Sequence, residues 1–229
     1  MRRPLLLLAV LACSRRPAPT GDLREATCIG PADAAHFAVY IHGIDDKAIG
    51  DEELANRTNL AHLAAALSLR IALPRATEDC PNQPESRCWG WTFSDGELAA
   101  ASTTIAKAAN ACFGDRRYGV IGFSNGGYLL SKLVETCTLH TRLPNSTWGV
   151  TIGSATFHGE LPPEPASLAG CGHLVVVSGT RDTQNFDPTD HFATVLAAKH
   201  ADVTTSSFDG GHVVPDEPLR RVLEPLLRR

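Results

Sequence analysis

The strongest constraint on the fold is the run V-I-G-F-S-N-G-G at residues 120–127, where a G-x-S-x-G pattern joins two apolar segments. The residues before it predict a buried strand, and the leucines after it recur as on one face of a helix. A chain that passes so quickly from strand to helix must turn sharply, and Gly122 and Gly126 remove side chains that would obstruct the turn. The hydroxyl of Ser124 is therefore predicted at the tip of the turn, where a base and a substrate can reach it.

The length, composition and net charge of the chain exclude several classes of protein. With 229 residues, 43% of them hydrophobic, the chain can bury the core of one globular domain. The net charge of -4 argues against a nucleic-acid-binding protein, since such proteins carry a basic surface. No apolar run is long enough to span a bilayer.

Residues 1–21 are predicted to be a targeting segment and tether, and residues 22–229 the folded domain. Arg2 and Arg3 precede a short apolar stretch that ends at Cys13, as in a signal peptide. V-L-A-C at residues 10–13 resembles a bacterial lipobox, which implies lipidation of Cys13; the alternative is an ordinary cleaved signal. Both alternatives predict export, to the bacterial periplasm or its membrane, or into the medium if no lipid is attached.

Cysteine usage also favours export. Apart from Cys13, six cysteines remain, an even number that suggests up to three disulfides in an oxidising compartment. Cys80 and Cys88 flank a polar, Pro-containing loop and are the pair predicted to be bonded. The spacings lack the paired C-x-x-C pattern of a zinc site, so we expect no metal.

Strand-like and helix-like segments alternate along the chain, which predicts an α/β domain with a mostly parallel central sheet flanked by helices. The predicted strands lie near residues 37–41, 70–73, 118–123, 147–152, 174–177 and 203–208. The predicted helices lie near residues 51–68, 95–112, 125–134, 188–200 and 216–227. Residues 75–94 are expected to form an irregular loop.

Three polar residues follow strands of this sheet. Ser124 follows the third predicted strand, Asp182 the fifth and His212 the sixth, and the carboxyl ends of parallel strands share one edge. Their order is that of a Ser-Asp-His triad in which histidine takes the serine proton and the acid orients the imidazole. Asp182 also suits a simple turn, and rival acids follow at 187, 190 and 209, but only Asp182 directly follows a buried strand.

A triad of this kind needs N–H donors for the developing oxyanion. We expect the Asn125 N–H, directly after the serine, and the Ile44 N–H, in the loop after the first strand. His42 is placed beside the substrate, or as a prop for that loop. Trp89 and Trp91 are expected to border a pocket for short-chain or aromatic acyl groups, or else to anchor their loop to the core.

The motifs resemble the carboxylesterase/phospholipase branch of the α/β-hydrolases, near dienelactone-hydrolase-like and polyhydroxybutyrate-depolymerase-like esterases. They are I-H-G-I-D-D at 41–46, L-P-R at 73–75, Trp91, G-F-S-N-G-G at 122–127, G-T-R-D at 179–182 and G-H at 211–212. The resemblance implies hydrolysis of carboxylic esters or thioesters without a cofactor. It also implies a small-molecule ester as partner, and we expect a monomer that meets the membrane only through a lipid anchor.

Two other functions remain open. One is a serine peptidase of the same fold, which would want an additional domain or cap to restrict access. The other is a lipid-anchored binding protein on an inactive hydrolase scaffold, for which a complete triad would be unnecessary.

Overall fold

The computed structural model describes residues 22–154, 167–183 and 185–228. The first part of the chain contains β1 (Cys28–Ile29), β2 (His36–Ile41), β3 (Asp45–Asp46), α1 (Asp51–Ala66), β4 (Leu69–Ala72), β5 (Glu78–Cys80), β6 (Gln83–Cys88) and α2 (Asp95–Phe113). The second part contains β7 (Tyr118–Phe123), α3 (Asn125–Glu135), α4 (Leu139–Arg142), β8 (Ser146–Ile152), β9 (His173–Gly179), α5 (Phe186–Ala198), β10 (Asp202–Phe208) and α6 (Asp216–Leu226). In this part of the chain, no helix is both long and apolar enough to cross a membrane.

Seven strands form the central sheet in the order β1-β4-β2-β7-β8-β9-β10. Only the short β1 runs antiparallel to its neighbour, and the other neighbouring strands pair in parallel. The predicted α/β class and mostly parallel sheet are therefore confirmed. From β2 the chain first adds β4 on one side and later β7 on the other, so the order reverses between β2 and β7, where such sheets leave a crevice for ligands.

Apolar layers cover both faces of the sheet. Along β7, Val120 packs on the side of α2, α3 and α5, whereas Ile121 and Phe123 pack on the side of α1 and α6. This alternation follows from the two-residue period of a strand. Because β7 is buried throughout, the residue that follows it is held on a rigid base.

The region from residue 75 to 94 is more ordered than predicted. β5 and β6 form an antiparallel hairpin, and β3 adds to it as a third strand. Because β3 belongs to the loop after β2, the hairpin packs against that loop and forms an ordered border of the crevice.

The disulfide prediction is wrong in its pairing. The bonded pairs are Cys28–Cys112 and Cys137–Cys171, while Cys80 and Cys88 are free, buried thiols. The two thiols are in hydrogen-bond contact with each other across the hairpin but are not covalently bonded, and the register pairs Cys80 with Gln83 and Cys88 with Glu78. The predicted targeting segment, with Cys13, lies outside the described residues.

Candidate active site

The turn at Ser124 has the strained backbone that the motif predicts. Ser124 has φ 50° and ψ −119°, a conformation that residues with a side chain rarely adopt. Its N–H donates to the Ile152 carbonyl at 2.9 Å, which fixes the turn to the end of β8. The serine is half-buried at the carboxyl edge of the sheet, between β7 and α3.

Close backbone approach explains the two glycines of the motif. A Cβ on Gly126 would lie 2.3 Å from the Ile41 carbonyl oxygen and 2.5 Å from that of His42. A Cβ on Gly122 would lie 2.6 Å from the Gly126 carbonyl oxygen. All three distances are far inside van der Waals contact, so the start of α3 packs against β2 and β7 only because these side chains are missing.

Asp182 and His212 meet at the same edge. The Nδ1 of His212 lies 2.7 Å from Oδ2 of Asp182, whose side chain is only 4% exposed. Of the rival acids, Asp209 is 87% exposed and pairs with Arg181. The side chains of residues 187 and 190 lie outside the described part of the structure. Since the carboxylate accepts at Nδ1, a neutral imidazole carries its proton there and leaves Nε2 free to accept another.

Two residues that the sequence analysis missed support this pair. The Asn185 Nδ2 donates to both carboxylate oxygens of Asp182, at 3.1 and 3.2 Å, while its Oδ1 accepts from the Tyr128 hydroxyl. Gly153 makes room, because a Cβ there would lie 2.8 Å from the His212 Nδ1. Gly153 directly follows β8, and nothing in the sequence indicated what it faces.

Two further sets of contacts fix the position of the His212 imidazole. Its ring packs on that of Phe123, the residue before the serine, with centroids 4.7 Å apart. Two residues along, Val214 is clamped to α1: its N–H donates to the Asn56 Oδ1 at 3.0 Å, and its carbonyl accepts from the Asn59 Nδ2 at 2.9 Å. The loop that carries His212 is therefore tied to a helix more than 150 residues earlier.

The predicted oxyanion donors lie on the two sides of the crevice. Asn125 opens α3, and so its N–H has no acceptor within the helix. Ile44 is 40% exposed, and its N–H has no acceptor among the described residues. A Cβ on Gly43 would lie 3.0 Å from the Ser124 Cβ, which places the loop after β2 directly against the serine.

The substrate-contacting roles predicted for His42 and Trp89 need correction. His42 is 1% exposed, and its Nε2 accepts from the Ala76 N–H while its Nδ1 donates to the Gly43 carbonyl. Trp89 is 3% exposed, packs its ring at a tilt against that of His42 and donates from its indole N–H to the His42 carbonyl. With both rings buried and hydrogen-bonded inside the protein, they support the loop instead of lining a pocket. Trp91 is half-buried, and its pocket role stays a prediction.

Burial of His42 has a consequence for pH dependence. Burial lowers the pKa of His42 from 6.5 to about 3, so the folded state keeps it neutral where the unfolded chain takes up a proton. Because the unfolded state then binds more protons between pH 6.5 and 3, the free energy of unfolding falls as pH falls through that window. Between pH 7 and pH 5 we expect this residue to lower the free energy of unfolding by about 2 kcal/mol. Chemical denaturation at the two pH values measures this difference.

The comparison for that measurement is His42→Gln, which cannot titrate. Between the two pH values, the free energy of unfolding should fall by about 2 kcal/mol more in the wild type than in this variant. Equal pH dependence in the wild type and His42→Gln would contradict a neutral, buried His42.

The Asn125 side chain joins the turn to the loop after β6. Its Oδ1 accepts from the Trp89 N–H at 2.7 Å, and its Nδ2 donates to the Gly90 carbonyl at 3.1 Å, both in buried positions. Asn125→Ala is expected to lower the free energy of unfolding by about 2 kcal/mol, because these backbone groups lose their partners. Thermal or chemical denaturation measures this, with the exposed Asn82→Ala, expected within about 0.5 kcal/mol of wild type, as control. Equal losses of unfolding free energy in both variants would contradict a structural role for the Asn125 hydrogen bonds.

Solved structures of similar fold are known. The acyl-protein thioesterase 2 of Zea mays superposes with a TM-score of 0.65 at 19% identity, over 88% of this chain and 96% of that one. A carboxylesterase of Bacillus cereus gives 0.59 at 15% identity, over 88% and 92% of the two chains. A carboxylesterase from Mesorhizobium loti gives 0.59 at 14% identity, over 89% and 99%.

These similarities, together with the sheet order and the strained serine turn, show that the chain has the α/β-hydrolase fold. The resemblance predicted from the motifs is confirmed at this level. No protein-family model matches the sequence, and no curated protein matches it either.

Proposed function

We propose that this protein is a serine hydrolase that cleaves carboxylic esters, thioesters included, through an acyl-enzyme on Ser124. The observation that carries the proposal is the 2.7 Å Asp182–His212 hydrogen bond at the sheet edge where Ser124 stands on its strained turn. Solved structures of similar fold include esterases and thioesterases, which supports the same reaction class.

In this mechanism, the His212 Nε2 takes the proton of Ser124 as Oγ attacks the carbonyl carbon of the substrate. The N–H groups of Ile44 and Asn125 stabilise the resulting oxyanion; losing one such donor typically costs about 3 kcal/mol. The imidazolium, stabilised by Asp182, then protonates the leaving alcohol or thiol as the carbon–oxygen or carbon–sulfur bond breaks. Water attacks the acyl-enzyme in the same way, releases the acid and restores the serine. No cofactor takes part in these steps.

We further propose that the protein acts outside the cytoplasm. Disulfides are rare in a reducing cytosol. Two disulfides, Cys28–Cys112 and Cys137–Cys171, cross-link this fold. The lipid anchor on Cys13 remains a proposal, tested by mass spectrometry of the mature N-terminus. A monomer is likewise proposed, tested by light scattering.

The proposed reaction is tested by labelling with a fluorophosphonate, which phosphonylates an activated serine. Intact-mass analysis should show one adduct on the wild type, mapped by peptide digestion to Ser124, and none on Ser124→Ala. The exposed Ser207→Ala is a matched control that should label normally. Labelling that persists in Ser124→Ala would move the nucleophile elsewhere, and labelling without turnover of p-nitrophenyl acetate would favour the peptidase alternative.

A further inference from the structure

Asn185 stands at the start of α5, but its side chain does not cap that helix. Asparagine is among the residues most favoured at this position, where the side-chain oxygen normally accepts from an N–H of the first helical turn. No such hydrogen bond forms at Asn185. Its amide oxygen accepts instead from the Tyr128 hydroxyl at 3.1 Å, and its amide nitrogen donates to Asp182. The local role typical of the position is therefore replaced by contacts at the proposed triad.

The Asp182 carboxylate depends on this amide. Its side chain is 4% exposed, and no lysine or arginine of the described ranges forms an ion pair with it. The Asn185 Nδ2 donates to Oδ1 at 3.1 Å and to Oδ2 at 3.2 Å, whereas the His212 Nδ1 lies against Oδ2 alone. Since a buried carboxylate oxygen needs a donor, the amide both satisfies Oδ1 and fixes the rotation of the carboxylate.

Tyr128 fixes the amide in turn. Because a carboxylate only accepts hydrogen bonds, the amide presents its nitrogen to Asp182 and its oxygen to the Tyr128 hydroxyl. Tyr128 lies in the first turn of α3, and its N–H donates to the Ser124 carbonyl at 3.0 Å. A chain of hydrogen bonds therefore runs from the helix that follows the serine, through the amide and the carboxylate, to the imidazole.

The backbone around Asp182 is held without the Asn185 side chain. The Arg181 N–H donates to the Gly210 carbonyl at 2.8 Å, and the Asp182 N–H donates to the Gly179 carbonyl at 3.0 Å. These hydrogen bonds do not involve the side chain of residue 185. What the amide adds is the orientation of the carboxylate group, so we expect its loss to disturb the chemistry more than the folding.

We propose that Asn185 is a positioning residue of the proposed triad, which holds the Asp182 carboxylate with Oδ2 turned to the His212 Nδ1. The aligned imidazole then presents its Nε2 to the serine hydroxyl. The Asn185 Nδ2 also lies 3.3 Å from the His212 Nδ1, and this contact limits the tilt of the ring. Asn185 takes no proton itself and acts through the acid. The inference rests on the proposed function and adds one residue to its machinery.

Steady-state kinetics with p-nitrophenyl acetate test the proposal. Asn185→Leu keeps the approximate size of the side chain but cannot donate, and a hydrogen bond to a charged group is lost. We expect kcat to fall about tenfold and KM to stay within about twofold of wild type, because no substrate contact changes. Asn110→Leu, at an exposed position of α2, is the matched control and should keep wild-type kinetics. Tyr128→Phe removes only a hydroxyl and should lower kcat about threefold, so it tests the same chain if Asn185→Leu does not fold.

A double-mutant cycle separates positioning from a structural role. In Asp182→Ala the carboxylate is absent, so adding Asn185→Leu should change the rate of fluorophosphonate labelling at Ser124 by less than about twofold. In the wild-type background the same substitution should slow labelling about tenfold. A residue that merely stabilised the loop would slow labelling by the same factor in both backgrounds, and that result would overturn the proposal.

The hydrogen bond between Asp182 and His212 supplies a readout without turnover. In Ser124→Ala, proton NMR should show the Nδ1 proton of His212 far downfield, and Asn185→Leu should shift or broaden that signal while Asn110→Leu does not. If Asn185→Leu changes neither the signal nor kcat, and the wild type still labels at Ser124, the positioning proposal is wrong and the proposed function stands. Absence of labelling in the wild type would instead remove the proposed function, and the NMR signal would still decide whether Asn185 positions the carboxylate.

Discussion

His212→Ala is expected to lower kcat for p-nitrophenyl acetate by about 10⁶-fold, because serine, base and acid act as one unit. Without the imidazole, no group takes the Ser124 proton during attack or returns one to the leaving alcohol. His62→Ala is the matched control, since its side chain is 54% exposed on α1. We expect that variant to retain wild-type turnover.

Chemical denaturation of His212→Ala must accompany the kinetics, since the ring also packs on Phe123. The variant should unfold cooperatively and close to the wild-type midpoint, because its ring is one-third exposed. A folded His212→Ala that keeps more than a hundredth of wild-type activity would show that another base serves Ser124. The proposed triad would then be wrong.

The second large effect is expected from a single methyl group. Gly126→Ala places a Cβ 2.3 Å from the Ile41 carbonyl oxygen, and that backbone lies in the central sheet and cannot move aside cheaply. Overpacking of this kind typically costs about 1–3 kcal/mol or more, and here it also displaces the turn at Ser124. We expect denaturation to show a loss of at least about 3 kcal/mol, with fluorophosphonate labelling lost in whatever protein folds.

Gly96→Ala is the control for that experiment. Gly96 lies in the first turn of α2, and a Cβ there would meet nothing within 4 Å. Alanine is the better helix former by about 1 kcal/mol, so this variant should be as stable as the wild type or more stable. Equal destabilisation by both substitutions would mean that the turn does not depend on a bare backbone at residue 126.

Patterns within short segments were sufficient for much of the fold. The buried strand before Ser124 and the apolar helix face after it occur at β7 and α3. Asp182 and His212 lie together at the carboxyl edge, because parallel strands end on one side of a sheet whatever their order. The catalytic roles of these residues stay predictions until the experiments above are done.

Pairings between distant segments were not predictable in the same way. Cys28 bonds Cys112, 84 residues away, and the nearer candidates Cys80 and Cys88 stay free. His42 looked available for substrate, but Trp89 and the Ala76 N–H occupy its surroundings.

The sequence by itself determined the alternation of strands and helices, the turn at Ser124, and the edge at which its candidate partners gather. These depend on local hydrophobic period and on glycines within a few residues of one another. Only the tertiary structure decided the clamp of Asn56 on Val214 and the support of Asp182 by Asn185. Such contacts join residues brought together by packing, and no spacing along the chain records them.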